Sequence, residues 1–324
     1  MTTTPTEAQR RHFGVNSTNV TSAAVLIALC LLLSALSPAF RNPQNLINVL
    51  QQVTVNAILA LGMTMVIFTG GIDLSVGSVV AFSGIVMGIL IVDMGVNPWL
   101  AAIVGILLGA VCGTINGVLI SKFRLQPMIA TLGMMSIARG AALTLAGGRT
   151  ISGYPPEFTW LGNGTIPGTT IPVQVIFMLL LYLCAYYFMR YRRFGRALYS
   201  IGGNEEATRL SGINVFKFKT LSYTVAGALA GVASVVLVAK LNSAQSIAGQ
   251  DYELDAIASA VIGGASLLGG VGSIWGSLMG ALIIGVIRNG LNLLNVSSYL
   301  QKLIIGVIIL IAVLVDAFRN RSRS

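Results

Sequence analysis

Residues that perform enzymatic chemistry are scarce in this 324-residue sequence. His12 is the only histidine, and no histidine, cysteine and carboxylate cluster has metal-ligand spacing. No nucleophile has a neighbouring base, so no catalytic residue is predicted. The glycine-rich run 263–273 lacks the Gly-Lys pair of a phosphate-binding loop, which excludes ATP binding of that kind. The sequence therefore predicts neither an enzyme nor a metal site.

A short polar segment, 69–78, interrupts an apolar stretch and carries one carboxylate. Asp73 and Ser75 follow two adjacent glycines there. Such a break exposes backbone polar groups and a charge, which at membrane depth are tolerated only beside protein or a water-filled cavity. Asp73 could therefore belong to a gate or a path. The alternative is a turn in which Asp73 caps the following helix.

Three acids, Asp251, Glu253 and Asp255, precede a short apolar run. Glu253 or Asp255 could select or couple a cation. Acids in a first helical turn also interact favourably with the helix dipole, and an acidic mouth could bind another protein. We assign all three as contacts with a partner on the outer side.

The composition indicates where these residues must be positioned. Hydrophobic residues make up 55% and charged residues 9% of the chain, and the mean hydropathy is +0.84. Soluble domains have about 45–50% apolar residues, so a bundle in a lipid bilayer is predicted. The formal net charge is +10, but the basic residues lie in short loops without stacking aromatic residues. Nucleic acid is therefore not an expected partner.

Apolar runs of about 20 residues predict an all-α polytopic membrane protein with about ten transmembrane helices, some of them broken or re-entrant. Fourteen of the 20 Lys and Arg residues fall in alternate loops, which favours an even number of crossings with both termini in the cytoplasm. Eight crossings are possible if 252–267 and a neighbour are re-entrant. The predicted segments are 23–40, 53–70, 77–95, 98–121, 127–146, 173–190, 219–240, 252–267, 273–290 and 301–317.

The domain organisation follows from these segments. Residues 1–22 form a cytoplasmic tail, 23–318 the transmembrane domain and 319–324 a basic cytoplasmic tail. A long outer loop covers 147–172, and a basic, partly helical inner loop covers 191–218. Glycines at every fourth position from 105 to 117 predict a close helix contact, with a path lined by bare backbone as the alternative.

The inner loop contains a short amphipathic helix between two glycine-containing turns. Ala207 and Leu210 can share one face, while the charged residues face water or a partner. Such a helix is suited to docking into a groove of another protein, and the alternative is a solvated linker. The residues of this predicted docking segment are Gly202, Gly203, Asn204, Glu205, Glu206, Ala207, Thr208, Arg209, Leu210, Ser211, Gly212 and Ile213.

Four motifs together resemble the ribose-type (monosaccharide) permease subunits of ABC importers. They are GGIDLSVGS at 70–78, GGNEEATRLSGINV at 202–215, YELDAIASAVIGG at 252–264 and NGLNLLNVSSY at 289–299. The resemblance covers nearly the whole chain from about residue 20. It implies a bacterial inner-membrane protein with a fold nearer the vitamin B12 type of permease than the maltose type.

The resemblance also implies partners and a role for the inner loop. The segment 202–213 corresponds to the coupling helix that a tandem ATPase grips, and that ATPase would hold ATP and Mg, so this chain needs no cofactor. A second copy of the chain and a periplasmic sugar-binding protein are the other expected partners. Ribose is the expected sugar.

The leading hypothesis is therefore an importer subunit that forms a path for a monosaccharide. The rival is an ion-coupled secondary sugar transporter, which the acids and the broken helices would suit. A neutral solute needs hydrogen-bonding groups and little charge along its path. The candidate path or gate residues are Gln51, Thr54, Asn56, Asp73, Ser75 and Asn292.

Overall fold

A computed structural model describes residues 17–321 of the chain as thirteen α-helices and one two-stranded sheet. Most of the two predicted tails, residues 1–22 and 319–324, therefore lies outside the described residues. The helices are α1 (Ser17–Leu36), α2 (Pro43–Ile67), α3 (Val76–Gly88), α4 (Pro98–Ser121), α5 (Pro127–Ala146), α6 (Pro156–Asn163), α7 (Val173–Tyr191), α8 (Arg193–Gly203), α9 (Glu205–Leu210), α10 (Val215–Leu241), α11 (Tyr252–Ile262), α12 (Ile274–Leu293) and α13 (Ser298–Arg321).

Each of the ten predicted segments coincides with a helix, which confirms an all-α polytopic membrane protein. Within residues 17–321, eight helices are long and apolar enough to cross a membrane: α2, α3 with its π-helical extension, α4, α5, α7, α10, α12 and α13. Of the other two predicted segments, α1 counts as a shorter apolar helix over Val20–Leu36, and α11 has only 11 residues. The count of ten crossings stays a prediction.

The largest error in a predicted boundary concerns α2, which begins at Pro43 rather than at residue 53. The Asn42 side chain accepts a hydrogen bond from the Gln44 backbone N–H, and Pro43 occupies the first helical position. Both features are favoured at helix N-termini. Apolar length alone does not place this start, because the first two turns of α2 mix Gln44, Asn45 and Asn48 with apolar residues.

The centre of the bundle is built around α2 and α10, which are mostly buried in the chain itself. α10 packs along α4, where Gly109 and Gly113 face Gly227 so closely that a Cβ at any of the three would overlap the opposing backbone. The predicted close helix contact is therefore confirmed. Small residues at such an interface give the van der Waals contact that holds helices together in lipid.

The outer helices expose apolar side chains, as a membrane protein requires. Most residues in the apolar spans of α13 and α5 lie at least partly on the surface of this chain. α7 also carries exposed leucines and aromatic residues. A fold in water would bury these surfaces, so their exposure agrees with a lipid environment.

The segment between α10 and α11 folds back into the bundle before α11 begins. Its first part pairs two residues, Ser243–Ala244, with Ile151–Ser152 of the outer loop as an antiparallel ribbon. Further along, the Arg139 guanidinium of α5 donates to the carbonyl oxygens of Ser246 and Ala248 at 2.7 and 2.8 Å. An arginine within an apolar helix is thus satisfied by backbone carbonyls, which is how intramembrane charges are usually tolerated.

Candidate functional site

The predicted docking helix is present as α9. It is an exposed helix of about one and a half turns at one end of the bundle. The Asn204 side chain accepts from the Ala207 N–H at 2.8 Å and so caps it. Arg209 pairs with Glu206 at 2.6 Å within α9. Leu210 is 79% exposed, which leaves an apolar side chain beside two charges on the surface of this chain. That surface has the chemistry of a docking site for another protein.

Lys219 fixes α9 to the rest of the bundle. Its ammonium pairs with Glu205 at 2.9 Å and is itself mostly buried at the start of α10. Thr208 is buried and donates to the Asn204 carbonyl at 2.7 Å. α9 is therefore held in one position on α10 rather than tethered by a loose loop.

Behind α9 lies a joint made of glycines, which we define as Gly202 and Gly203 at the end of α8, residues 68–70 after α2, and residues 269–272 before α12. The Gly270 N–H donates to the Phe68 carbonyl at 3.0 Å. Gly202 sits against both of these backbone groups, and a Cβ there would overlap them. Gly270 has a φ of +70°, which L-residues with side chains rarely adopt.

An aromatic contact completes the joint. The Phe68 ring lies 4.5 Å from the Tyr199 ring of α8, measured between centroids. The Tyr199 hydroxyl donates to the Gly272 carbonyl at 3.1 Å. The segment that carries α9 is therefore in direct contact with the end of α2 and with the turn between α11 and α12.

Asp73 and Ser75 lie in a buried polar cluster between α2 and α3, near this same end. Asp73 accepts from the backbone N–H and hydroxyl of Ser75 at 2.9 and 2.6 Å, and Asn116 donates to the Ser75 hydroxyl at 3.0 Å. Burial raises the pKa of the Asp73 carboxyl, although the bonds from Ser75 lower it. No ion pair to Asp73 exists within residues 17–321. Asp73 closes a turn just before α3, whose N-cap is Ser75, so the gate and the capping alternatives both stay predictions.

A cavity of about 290 Å³ opens at the other end of the bundle, between α2, α10, α11, α12 and α13. Polar side chains make up more than half of its lining positions. The lining residues are Gln52, Val53, Val55, Asn56, Leu237, Lys240, Leu241, Tyr252, Asp255, Ala281, Ile284, Gly285, Arg288, Asn292 and Gln301.

An ion pair forms part of the cavity wall. The Arg288 guanidinium of α12 donates to both carboxylate oxygens of Asp255 at 2.8 and 2.7 Å. Asp255 is only 5% exposed, so its charge is satisfied chiefly by Arg288. The Lys240 ammonium at the end of α10 donates to the Gln51 carbonyl at 3.0 Å. Both cations of the cavity are thus bound to oxygens of the protein.

The candidate path residues separate into three places. Asn56 and Asn292 line the cavity, and Gln51 contributes its backbone carbonyl beside it. Thr54 is fully buried and bonds only to the Leu50 carbonyl of its own helix at 2.9 Å. Asp73 and Ser75 belong to the other end of the bundle, so one continuous group of six residues does not form in this chain.

The three outer acids also differ from one another. Asp251 is on the surface and pairs with Lys302 at 2.8 Å, and Glu253 is partly buried near Gly77. Asp255 is buried against Arg288 instead. Its burial is a correction to the expected role of this residue, because a carboxylate enclosed by its own chain cannot contact a soluble partner in this conformation.

Comparison with known proteins identifies the family. The family described as "Branched-chain amino acid transport system / permease component" matches residues 45–313. The ribose import permease protein of Escherichia coli strain K12 is 47% identical over 322 residues, which are 97% of this chain and 98% of the relative. This chain belongs to the ribose-type ABC importer permeases.

Other members of this permease family are similar over most of their length. The ribose import permease protein of Bacillus subtilis strain 168 is 46% identical, with 96% of both chains covered. The D-allose transport system permease protein of Escherichia coli strain K12 is 38% identical, with 90% of this chain and 89% of the relative covered. No solved structure matches the chain. The matched range includes α9, the glycine joint and the cavity.

Sequence reasoning missed several residues that line the cavity. Arg288, Lys240 and Gln301 line the cavity, whereas the sequence pattern identifies the basic residues only as markers of orientation. An arginine near the end of a predicted transmembrane segment was the available signal, because charges within membrane helices usually mark a functional site. Its partner Asp255, 33 residues away, could not be read from spacing alone.

Proposed function

We propose that this chain is the membrane-spanning subunit of an ATP-driven importer of ribose and forms the path for the sugar. The observation that carries the proposal is the near full-length similarity to permeases whose names state ribose import, at 46–47% identity. The structure supplies two features that such a subunit needs: an exposed helix for an ATPase, and a polar cavity at the opposite end.

The charge distribution supports an orientation with α9 in the cytoplasm. Lys122 and Arg124 follow α4, and further basic residues follow α7, at the end of the bundle that carries α9. Positive residues in short loops favour the cytoplasmic side. The cavity would then open toward the periplasm of a bacterial inner membrane, and both termini would lie in the cytoplasm.

The proposed assembly contains two copies of this chain, a tandem ATPase and a periplasmic ribose-binding protein. The ATPase would supply ATP hydrolysis with bound Mg, and α9 would dock into it. The binding protein would deliver the sugar at the cavity end, where Asp251 is on the surface and Glu253 is partly exposed. The second copy would cover part of the apolar surface that this chain exposes.

The test is uptake of labelled ribose by vesicles that contain the permease and its ATPase. ATP and Mg are enclosed, and ribose-loaded binding protein is added outside. We expect uptake that requires enclosed ATP and continues when ionophores dissipate the proton and sodium gradients. Uptake that follows an ion gradient without ATP would instead establish the rival, an ion-coupled sugar transporter.

The sugar is tested in the same vesicles by competition. D-Allose and fructose are useful competitors because import permeases for both sugars are among the similar proteins. Ribose should be taken up at least about tenfold faster than either sugar, since both are hexoses with one more carbon and hydroxyl than ribose, and a misfit of about 1.4 kcal/mol is a tenfold change. Preferred uptake of allose or fructose would contradict ribose as the substrate.

A further inference from the structure

Four exposed arginines lie where α7 ends and α8 begins, and we call this group the basic corner. Its members are Arg190, Arg192, Arg193 and Arg196. Within residues 17–321 none of the four forms an ion pair. The next carboxylates along the chain are already used, since Glu205 pairs with Lys219 and Glu206 with Arg209. The charge of the basic corner is therefore not compensated by the part of the chain that the structure describes.

Two of these arginines are held by aromatic rings. The Arg190 guanidinium lies 5.9 Å from the centroid of the Tyr186 ring, and the Arg192 guanidinium lies 5.1 Å from that of Tyr187. Such cation–π contacts position a guanidinium over a ring face without using its N–H donors. The Tyr186 ring in turn packs against Trp275 of α12, with centroids 5.9 Å apart. Both cations are thus positioned with donors free, and a guanidinium can donate to two oxygens of one phosphate.

The basic corner lies at the level where a membrane span ends. α7 is one of the helices long and apolar enough to cross the membrane, and Arg190 belongs to its last turn. Tyrosines are enriched at this level, with the ring toward the hydrocarbon and the hydroxyl toward water. The free guanidinium donors therefore lie at the depth of the lipid headgroups.

An exposed apolar stripe runs along α7 toward the basic corner. Leu180, Leu183, Tyr187 and Tyr191 are spaced three or four positions apart, so they share one face of the helix. All four side chains are exposed in the described chain. The stripe and the arginines together match an amphiphile that has an anionic head and an apolar tail.

We propose that the basic corner binds an anionic phospholipid, whose phosphate accepts hydrogen bonds from Arg190 and Arg192 while an acyl chain lies along Leu180 and Leu183. The whole set of four arginines supplies the attraction for the negative headgroup. A second copy of the chain fits this face less well. A two-fold axis along the membrane normal would place the same cations of both copies at one depth, where they repel each other. The site shares no residue with the cavity or with α9, so it does not rest on the proposed function.

The test compares two lipids that differ in charge. The purified full chain in detergent is titrated with phosphatidylglycerol, which is anionic, or with phosphatidylcholine, which has no net charge. Native mass spectrometry counts the bound lipids and gives the dissociation constant of the first one. Phosphatidylglycerol should bind at least about tenfold more tightly, because two positioned cations act on its charge. Equal binding of the two lipids would overturn the site.

A matched pair of double variants separates the site from a general effect of charge. Arg190→Gln with Arg192→Gln should abolish the preference for phosphatidylglycerol. Lys122→Gln with Arg124→Gln removes the same charge from the turn after α4, at the same end of the bundle, and should keep the preference. Equal loss in both variants would show that only net charge matters and would overturn the site. Melting temperatures that match the parent chain show that both variants are folded.

Two competitors complete the test. Inorganic phosphate in large excess should leave the lipid bound, because it lacks the acyl chain that packs on α7. Full displacement by phosphate would assign the basic corner to a soluble anion and overturn the lipid. The tandem ATPase is the other candidate for these arginines. Loss of the ATPase from Arg190→Gln with Arg192→Gln, with the lipid preference intact, would assign them to the ATPase instead.

Discussion

Single polar residues in this bundle are paired across long stretches of sequence. Asn45 of α2 and Asn289 of α12 exchange two amide hydrogen bonds, at 3.0 and 2.9 Å, and both are buried. Neither residue was singled out by sequence reasoning, because an isolated asparagine in an apolar segment gives no indication of its partner. This reciprocal pair joins two helices that line the cavity.

We predict that Asn45→Ala and Asn289→Ala each lower the free energy of unfolding by about 1–2 kcal/mol, the range that model peptides give for hydrogen bonds between membrane helices. The double variant should cost less than the sum, since each single variant leaves the other amide unpaired. Thermal unfolding in detergent measures both values. Strictly additive losses would show that the two amides do not interact.

At the scale of the helix, the contact between α4 and α10 depends on its glycines, whereas some glycines of α5 face open space in the described chain. A Cβ on Gly113 would overlap the Tyr223 carbonyl, whereas a Cβ on Gly140 of α5 has no neighbour within 4 Å in the described chain. Two glycines on neighbouring helices of the same bundle therefore have opposite roles.

Gly113→Ala should destabilise the protein by about 1–3 kcal/mol, because the two helix backbones must move apart. Gly140→Ala should leave stability unchanged or raise it by about 0.5–1 kcal/mol, since alanine is the better helix former. The melting temperature should fall in Gly113→Ala. In Gly140→Ala it should rise or stay the same. Equal destabilisation by both would contradict the assigned packing.

The glycine joint is the element that can transmit movement from α9 to the cavity. It contacts the end of α2, and along that helix Asn56 lies about 18 Å from Phe68, at 1.5 Å per residue. The turn 269–272 continues into α12, which carries Arg288. We therefore expect a movement of α8 and α9 to act on two cavity helices, through backbone contacts that have little room for adjustment.

We predict that Gly202→Ala lowers sugar uptake at least about tenfold while the ATPase still binds, because the added methyl group separates α8 from Phe68 and Gly270. Gly203→Ala is the matched control, since nothing lies within 4 Å of its Cβ position in the described chain. ATP hydrolysis and ribose uptake are measured together in vesicles. Equal uptake by the two variants would contradict the role of the joint.

The whole molecule shows which features sequence patterns can and cannot reveal. Apolar length located ten of the helices, and glycine spacing located the face of α4 that packs closely, because both are local properties of the chain; the partner of that face, α10, needed the structure. The glycines around 202 and 270 were visible in the sequence, but their contact joins positions far apart. The cavity likewise needed five helices in place before Asp255, Arg288 and Asn56 shared one wall.

The central claim at this scale is that an ATPase drives the permease through α9. Glu206→Lys combined with Arg209→Glu tests it sharply, because the exchange keeps an ion pair within α9 while reversing both charges on its surface. Glu205 and Lys219, which hold α9 in place, are unchanged. The variant should therefore remain folded, with a melting temperature close to that of the wild type.

The most direct measurement is co-purification of the tandem ATPase with the wild-type chain and with this exchanged variant. The account predicts that the wild type retains the ATPase and that the variant loses it, with ribose uptake lost in parallel. Retention of the ATPase by both chains would show that the charged surface of α9 does not dock it. A wild-type chain that binds no ATPase but still moves ribose would contradict the account as a whole.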